Sequence, residues 1–463
     1  MAETPDFFRN RLDQMIDLRH PLAQLASRMS WQDLEAAIVQ QFARQVRAGK
    51  KVKEVDLFGP VTQVVGGGAS RAGRPRLPFR LMISLLYLKH AYDESDEGVV
   101  ARWGETPTWQ YFSGMDYFEH RLPCDASQIG RFRKALGEAG VEELLAQTVN
   151  AAWQLKLIAP QHLQEILVDS TVQAKAIAYP TDTRLLEVAR QKLVSLARWL
   201  NLPLKQTYAK EAGQLTHRAS GYARARQFKR LLRVQRRYRT ILGRVMRDLR
   251  RQSLFHPLDK AARQSVRETL AKAQRLLEQT ATRQASREKL YSWHAPEVSC
   301  IGKGKARQPY EFGVKVGIAT TLQGNLIVGA RAFPGNPYDG HTLAEQLQQA
   351  GILLQDIRHQ GQAIGPHTVY TDLGYRGVEA EVPAVKVCHR GKKKRLNAWQ
   401  LKHLPRRQAI EPVIGHLKAD HGLGRCWLKG SLGDRLHAVL CAAGYNLRWL
   451  LRRIGQPPPP VPA

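Results

Sequence analysis

The stretch Arg406–Arg425, RRQAIEPVIGHLKADHGLGR, sets a lone glutamate, Glu411, among arginines, lysines and histidines. Such a carboxylate is a solvated charge, half of a salt bridge, or an oxygen ligand held for a metal ion. Two further carboxylates bear on the choice. Asp169 ends the apolar run Ile166–Val168 and precedes Ser170, while Asp372 ends the stretch TVYT and lies just before Gly374. Each alone reads as a cap or turn aspartate. Together they sit at strand ends, the edge where open α/β sheets bind ligands. Arg407, Glu411 and Lys418 fall on one helical face, provided the helix starts or bends near Pro412. A carboxylate on that face, meeting two strand-end aspartates, makes an oxygen donor set suited to Mg²⁺ or Mn²⁺. Two such ions, roughly 4 Å apart, can activate a water or 3′-hydroxyl and stabilise the leaving oxygen of a phosphodiester. On this reading Asp169, Asp372 and Glu411 are the metal ligands, and Arg407 and Lys418 orient Glu411 and contact phosphate.

The remainder of the chain fits a polyanionic partner. Across 463 residues the formal net charge is +31, with 43% hydrophobic content and a pI near 10.3. Neutralising phosphates releases counterions, so double-stranded DNA is the simplest partner for such an excess. No apolar run approaches the roughly 18 residues of a spanning helix, and the N-terminus lacks a secretion-signal pattern. Five scattered cysteines without a C-x-x-C pair argue against a disulfide framework or a cysteine zinc site and for a reducing cytoplasm.

The elements that must position these residues are legible in outline. Residues 1–60 read as a helical segment, with Leu12, Met15, Ile16, Leu34 and Ile38 at helical spacing. A basic Gly/Pro-rich connection follows, carrying Arg71, Arg74 and Arg76. It reads as a linker more readily than as a minor-groove arm. Residues 61–160 read as a helical, helix-turn-helix-like DNA-binding domain. In it Asp125 or Ser127 caps a helix whose Ile129, Phe132 and Leu136 face inward, leaving Arg131, Arg133 and Lys134 for DNA. Residues 181–290 hold 27 Lys+Arg against 8 Asp+Glu, a net of +19. Ser220–Arg251 reads there as one long basic amphipathic helix. Its DNA-contact candidates are Arg224, Arg226, Lys229, Arg230, Arg233, Arg236 and Arg237. The strand-like segment around residues 161–180, a hairpin from YEFGVKVGIATT to NLIVGARAFP, and the strands HTVYT and AVKVC predict a mixed sheet covered by helices, an α/β fold. DGHTLAEQLQQAG predicts a helix stopped by its glycine, and residues 405–453 a closing helical region. Residues 456–463 form an extended Pro-rich tail.

At this point VDST (Val168–Thr171), YTDLGYRG (Tyr370–Gly377) and R-x3-E-x6-K (Arg407, Glu411, Lys418) stand in order. The sequence resembles the DDE transposases of bacterial insertion sequences, in insertion sequence family five and its relatives. The resemblance also takes in WHAPEVSCIGKGKARQPYEFGVKV and GNPYDGHTL. It departs at Leu404, where the family signature carries tyrosine. It implies a ribonuclease-H-like catalytic core over residues 161–180 and 291–455, with Asp169, Asp372 and Glu411 as catalytic residues. It further implies DNA cleavage and strand transfer at element ends and in target DNA, by a homodimer on nucleoid-associated DNA. Similarity to the family makes Asp339 and His341 accessory residues, against a plainer reading in which Asp339 caps a helix and His341 is exposed. His416 is open between DNA contact and packing beside its helix. Two other readings stand beside the transposase: a non-catalytic DNA-binding regulator or decayed transposase, and a stand-alone nuclease.

Overall fold

A computed structural model describes residues 10–39, 42, 50–56, 59–65, 76–281, 289–302 and 309–455. The basic connection through Arg71 and Arg74 and the Pro-rich tail 456–463 lie outside the described residues. Apolar residues at helical spacing fold the N-terminal part into α1 (Leu12–Met15), α2 (Pro21–Arg28), α3 (Trp31–Val39), α4 (Phe79–Ala91), α5 (Asp96–Glu105), α6 (Pro107–Phe112) and α7 (Ala126–Gln154). The expectation of helix throughout residues 1–60 is corrected here. β1 (Lys50–Asp56) and β2 (Gly59–Val65) pair antiparallel. The valines there are three apart, Val52 and Val55, then Val61 and Val64, a spacing that mimics a helix; the Gly59-Pro60 pair is the turn signal between them.

A short helix, α8 (Pro160–Gln164), leads into β3 (Glu165–Ala174). The insertion that follows is a bundle of α9 (Asp182–Trp199), α10 (Ala209–Arg224), α11 (Phe228–Phe255) and α12 (Lys260–Ala281). The single long helix expected over Ser220–Arg251 is two helices, broken at Arg226, whose φ of 53° is left-handed. The bundle has its own core, in which Leu186, Leu193, Tyr238, Ile241, Leu242 and Leu249 pack together. Hydrophobic burial rather than ion pairing therefore holds this basic region folded.

After the bundle come β4 (Ser299–Gly302), β5 (Tyr310–Thr321), β6 (Ile327–Phe333), α13 (Leu343–Leu353), the two-residue strands β7 (Arg358–His359) and β8 (Gln362–Ala363), β9 (Thr368–Tyr370), β10 (Lys386–Cys388), α14 (Ala398–His403), α15 (Ile410–Asp420) and α16 (Gly430–Ile454). The main sheet runs β10-β9-β3-β5-β4, with β6 on the same edge of β5 as β4. β10, β9 and β3 are parallel; β5 runs against β3, and β4 and β6 against β5. β4 has no counterpart in the sequence reading because four residues give too short a period to register. Gly351 does not stop α13, which runs on to Leu353.

α16 lies against β6, α4 and α7, and one hydrophobic core joins the N-terminal helices to the sheet. Gly444 lets α16 approach α4, since a Cβ there would meet the His90 carbonyl carbon. That contact buries a polar group of unusual make-up. Cys441 Sγ lies 3.7 Å from His90 Nδ1 and 3.6 Å from His437 Nε2, and His437 Nε2 lies 3.0 Å from the Gly422 carbonyl oxygen. Burial, reinforced by Lys89, Arg133 and Lys175, lowers His437 to about 4 against the backbone contact to Gly422. Between pH 6.5 and about 4 the unfolded chain binds a proton that the folded chain refuses. Stability is thus full above pH 6.5 and falls as pH drops through that window, by roughly 3 kcal/mol from this residue. Urea midpoints measured from pH 7 to pH 4.5 are expected to fall, and His437→Gln should flatten the slope. An unchanged slope in that variant would place the pH sensitivity elsewhere.

Candidate active site

β3 is a central strand because Ile166, Leu167 and Val168 are buried apolar residues with neighbours on both sides. Its register with β9 sets Leu167 opposite Tyr370. Two residues further along each chain, Asp372 follows the end of β9, while Asp169 lies within β3, which runs on to Ala174 paired with β5. The expectation that Asp169 ends its strand is corrected; the two aspartates stand side by side on parallel neighbours. Asp169 Oδ1 accepts the Ser170 N–H at 2.8 Å, and Asp372 Oδ1 accepts the Gly374 N–H at 2.8 Å. A Cβ at Gly374 would lie 2.9 Å from Asp372 Oδ1 and 3.2 Å from Asp339 Oδ2, so a larger residue there would push both carboxylates aside.

Asp339 completes this group. Its Oδ1 accepts the Ser170 hydroxyl at 2.7 Å and lies 2.9 Å from Lys315 Nζ. Lys315 also donates to the Pro337 carbonyl at 2.6 Å. The plainer reading of Asp339 as a helix cap is corrected, since its side chain makes no capping bond to the 3-10 turn it precedes. Beneath the carboxylates lies the buried ring of Tyr375, whose hydroxyl is pushed well above its ordinary acidity range by burial and then by Asp339, Asp169 and Asp372. Asp169 itself is raised to about 6, chiefly by burial, with Asp372 and Asp339 adding to it and the Ser170 amide and Arg407 opposing. A partly buried carboxylate beside two others is a charge in want of a cation.

Arg407 supplies part of that charge. It sits in the 3-10 run Leu404–Ala409, with Nη1 3.3 Å from Asp169 Oδ2 and Nη2 3.6 Å from Glu411 Oε1. The helix starts where Pro412 demands, because α15 opens at Ile410 and the proline falls in its first turn. The Glu411 side chain is 64% exposed against 17% for Arg407. Glu411 therefore stands at the rim, tied to Asp169 through the shared guanidinium. Carboxylate oxygens are the donors a hard divalent cation takes; among the described residues, however, no three of these carboxylates bring their oxygens within 4.8 Å of one another.

Other sequence-predicted residues are placed differently. Lys418 lies 3.8 Å from Glu311, so the helical face that carries Glu411 turns Lys418 toward the start of β5. Arg133 is buried with Nη2 3.0 Å from Asp96, because its position faces α5 within the helix pair. Arg131 and Lys134 are exposed on the same helix, as are Arg224, Arg226, Lys229, Arg230, Arg233 and Arg236 on the bundle. Arg237 is half-buried with Nε 2.6 Å from Glu211. His341 is exposed, and the exposed His416 has Nδ1 2.7 Å from Asp420. Sequence reading missed Ser170, Lys315 and Tyr375. A lone lysine inside the apolar strand GVKVGIATT was the available signal, since a charge in a buried strand needs a partner.

Two family models match this chain. One described as Transposase domain (DUF772) covers residues 10–135, and one described as Transposase DDE domain covers residues 288–447. The chain belongs to the DDE transposases of insertion sequences. The second match contains Asp372 and Glu411; Asp169 and the basic bundle fall between the two. A relative described as an uncharacterized protein, ORF8 in the nfe locus of Rhizobium meliloti, is 41% identical over 223 residues, 48% of this chain and 95% of the relative. No solved structure matches the chain. No helix among the described residues is long and apolar enough to cross a membrane.

Proposed function

We propose that this transposase cuts DNA at the ends of its insertion sequence and joins the freed ends to target DNA, with Asp169, Asp372 and Glu411 as its acidic triad. The observation that carries the reading is the register of β3 with β9, which sets Asp169 and Asp372 on neighbouring parallel strands, with Asp169 beside the arginine that also approaches Glu411. Strands β3, β5, β6, β9 and β10 follow one another as a ribonuclease-H-like core, over residues 161–180 and 291–455. Residues 1–160 are the end-binding region and residues 181–290 a backbone-binding bundle. Asp169, Asp372 and Glu411 would hold Mg²⁺ or Mn²⁺, two ions in our reading, and such ions supply charge neutralisation and an activated oxygen nucleophile. Asp339, fixed by Ser170 and Lys315, keeps the carboxylate floor in place. Water displaces the 3′-oxygen at a phosphorus, leaving a 3′-hydroxyl and a 5′-phosphate. That hydroxyl then attacks a target phosphodiester, so one P–O bond forms as another breaks. Arg131 and Lys134 and the exposed arginines of α10 and α11 supply phosphate contacts. A homodimer on DNA, in the cytoplasm on the nucleoid, fits the need to hold two ends.

The test uses labelled DNA flanking the coding sequence, with Mg²⁺ or Mn²⁺, on a denaturing gel. Wild type is expected to cut at a defined terminus. Glu411→Gln and Asp372→Asn should lose cleavage by about 10³-fold or more, the cost of several kcal/mol of lost charge stabilisation, while keeping DNA affinity. Full cleavage by either variant would remove the triad assignment, and binding without cuts by the wild type would favour a regulator.

A further inference from the structure

Directly after β10 the chain reads RGKKKR (Arg390–Arg395), a 3-10 run opened by His389, whose Nδ1 accepts the Gly391 N–H at 3.1 Å. The segment is continuous with the Asp372 turn. Thr371 N–H donates to the Cys388 carbonyl at 3.0 Å, and a Cβ at Gly391 would lie 3.6 Å from the Leu373 side chain. Between the two lies an open cavity of about 660 Å³, whose walls carry Arg376, Arg390, Lys392, Lys393, Lys394 and Arg395. Glu379 is the one carboxylate in those walls. Its Oε1 lies 2.5 Å from Lys392 Nζ and 3.4 Å from His389 Nε2. Lys392 first, then its own backbone amide and His389, hold this carboxyl down at about 2 against slight burial.

Among the described residues, no carboxylate lies within ion-pair distance of Arg376, Arg390, Lys393, Lys394 or Arg395. Uncompensated like charges around one opening repel, and a polyanion relieves that repulsion. The side chains come from an irregular loop. No helix or long strand stands there to enter a groove, so the contacts suit phosphates and not base edges. We propose that this cavity is a sequence-independent binding site for DNA backbone phosphates, seating a strand beside the Asp372 end of the sheet, and that Glu379 occupies it in the free protein in place of a phosphate. The proposal rests on the transposase reading for the identity of the polyanion.

The experiment measures fluorescence anisotropy of two labelled duplexes, one of random sequence and one from the flanking DNA, across a salt series without divalent ions. The proteins are the full chain, the triple variant Lys393→Ala/Lys394→Ala/Arg395→Ala, and Glu379→Gln. The triple variant should weaken both duplexes alike by roughly 10- to 100-fold and flatten the log K against log salt slope by up to about 3, near 0.9 per lost phosphate contact. Its thermal midpoint should stay at the wild-type value, because the three side chains are exposed. Glu379→Gln should tighten both duplexes a few-fold. Unchanged affinity and slope in the triple variant would overturn the site while leaving the transposase reading intact. Weakening confined to the flanking duplex would overturn sequence independence. Weaker binding by Glu379→Gln would make the glutamate a prop for the loop and overturn its stand-in role. Absence of binding by the wild type to either duplex would instead count against the transposase reading.

Discussion

Asp169→Asn is expected to raise the unfolding midpoint of the metal-free protein while removing metal-dependent cleavage. Folding moves this carboxyl from an ordinary value of 3.8 up to about 6, by burial and by its neighbours Asp372 and Asp339. The folded chain therefore holds the proton more tightly than the unfolded chain. The resulting penalty grows as pH rises from 3.8 through 6 and is complete at neutral pH, where it amounts to up to roughly 3 kcal/mol. Asparagine keeps the shape and the acceptor for Ser170 N–H and removes the charge. Divalent ions should act in the opposite sense on the two proteins. Wild type should gain stability with added Mg²⁺ or Mn²⁺ because only the folded state holds the site, and the variant should gain much less. Scanning calorimetry at pH 7.5 with and without metal reads both effects. A variant that melts below wild type would show the Asp169–Arg407 pair to be worth more than the crowding of carboxylates costs.

The second large effect concerns Lys175, which directly follows β3. Its Nζ lies 2.7 Å from Asp434 Oδ1 and 2.9 Å from Glu297 Oε1, with all three side chains largely out of solvent. The partners do not gain equally. Burial lowers Lys175, but the bonds to Asp434 and Glu297 outweigh it and leave the ammonium favoured. For Asp434, burial outweighs the help from Lys175 and the carboxyl is raised. The cluster is thus weakly stabilising as a whole and costly to break, because loss of the lysine strands two carboxylates in the interior. Lys175→Met is expected to cost roughly 3–5 kcal/mol, read as a lower urea midpoint at unchanged slope. Adding Asp434→Asn should restore part of that loss. If Lys175→Met alone were neutral, the three groups would have to be solvated in the folded protein. The cluster ties β3 to the start of α16, so its loss should loosen the strand that carries Asp169.

How much of this was legible in sequence depends on the range of the interaction. The strand end before Asp372 and the helix start at Pro412 were readable because each rests on a local signal: a turn glycine, and a proline that tolerates only a first turn. Asp169 was misread as a strand end, because the apolar run stops there while pairing with β5 carries β3 on to Ala174. The pairing of β1 with β2 and the break at Arg226 were missed, since valines three apart mimic helical spacing and a single left-handed residue is a weak signal inside helical surroundings. Charge counts marked the bundle as basic. They could not show that Arg133 is spent on Asp96, or that Lys418 reaches Glu311.

The order and types of the acidic residues, the charge of the chain and the family resemblance were fixed by the sequence alone, because covalent order and composition need no fold to be read. That Asp169 and Glu411 share Arg407, that Asp339 joins Ser170 and Lys315, and that RGKKKR opens beside Asp372 were decided only by the tertiary structure. Those facts depend on strand register and on contacts between residues distant in the chain. A register change of one residue would turn Asp169 to the opposite face of the sheet without altering a single letter of its motif.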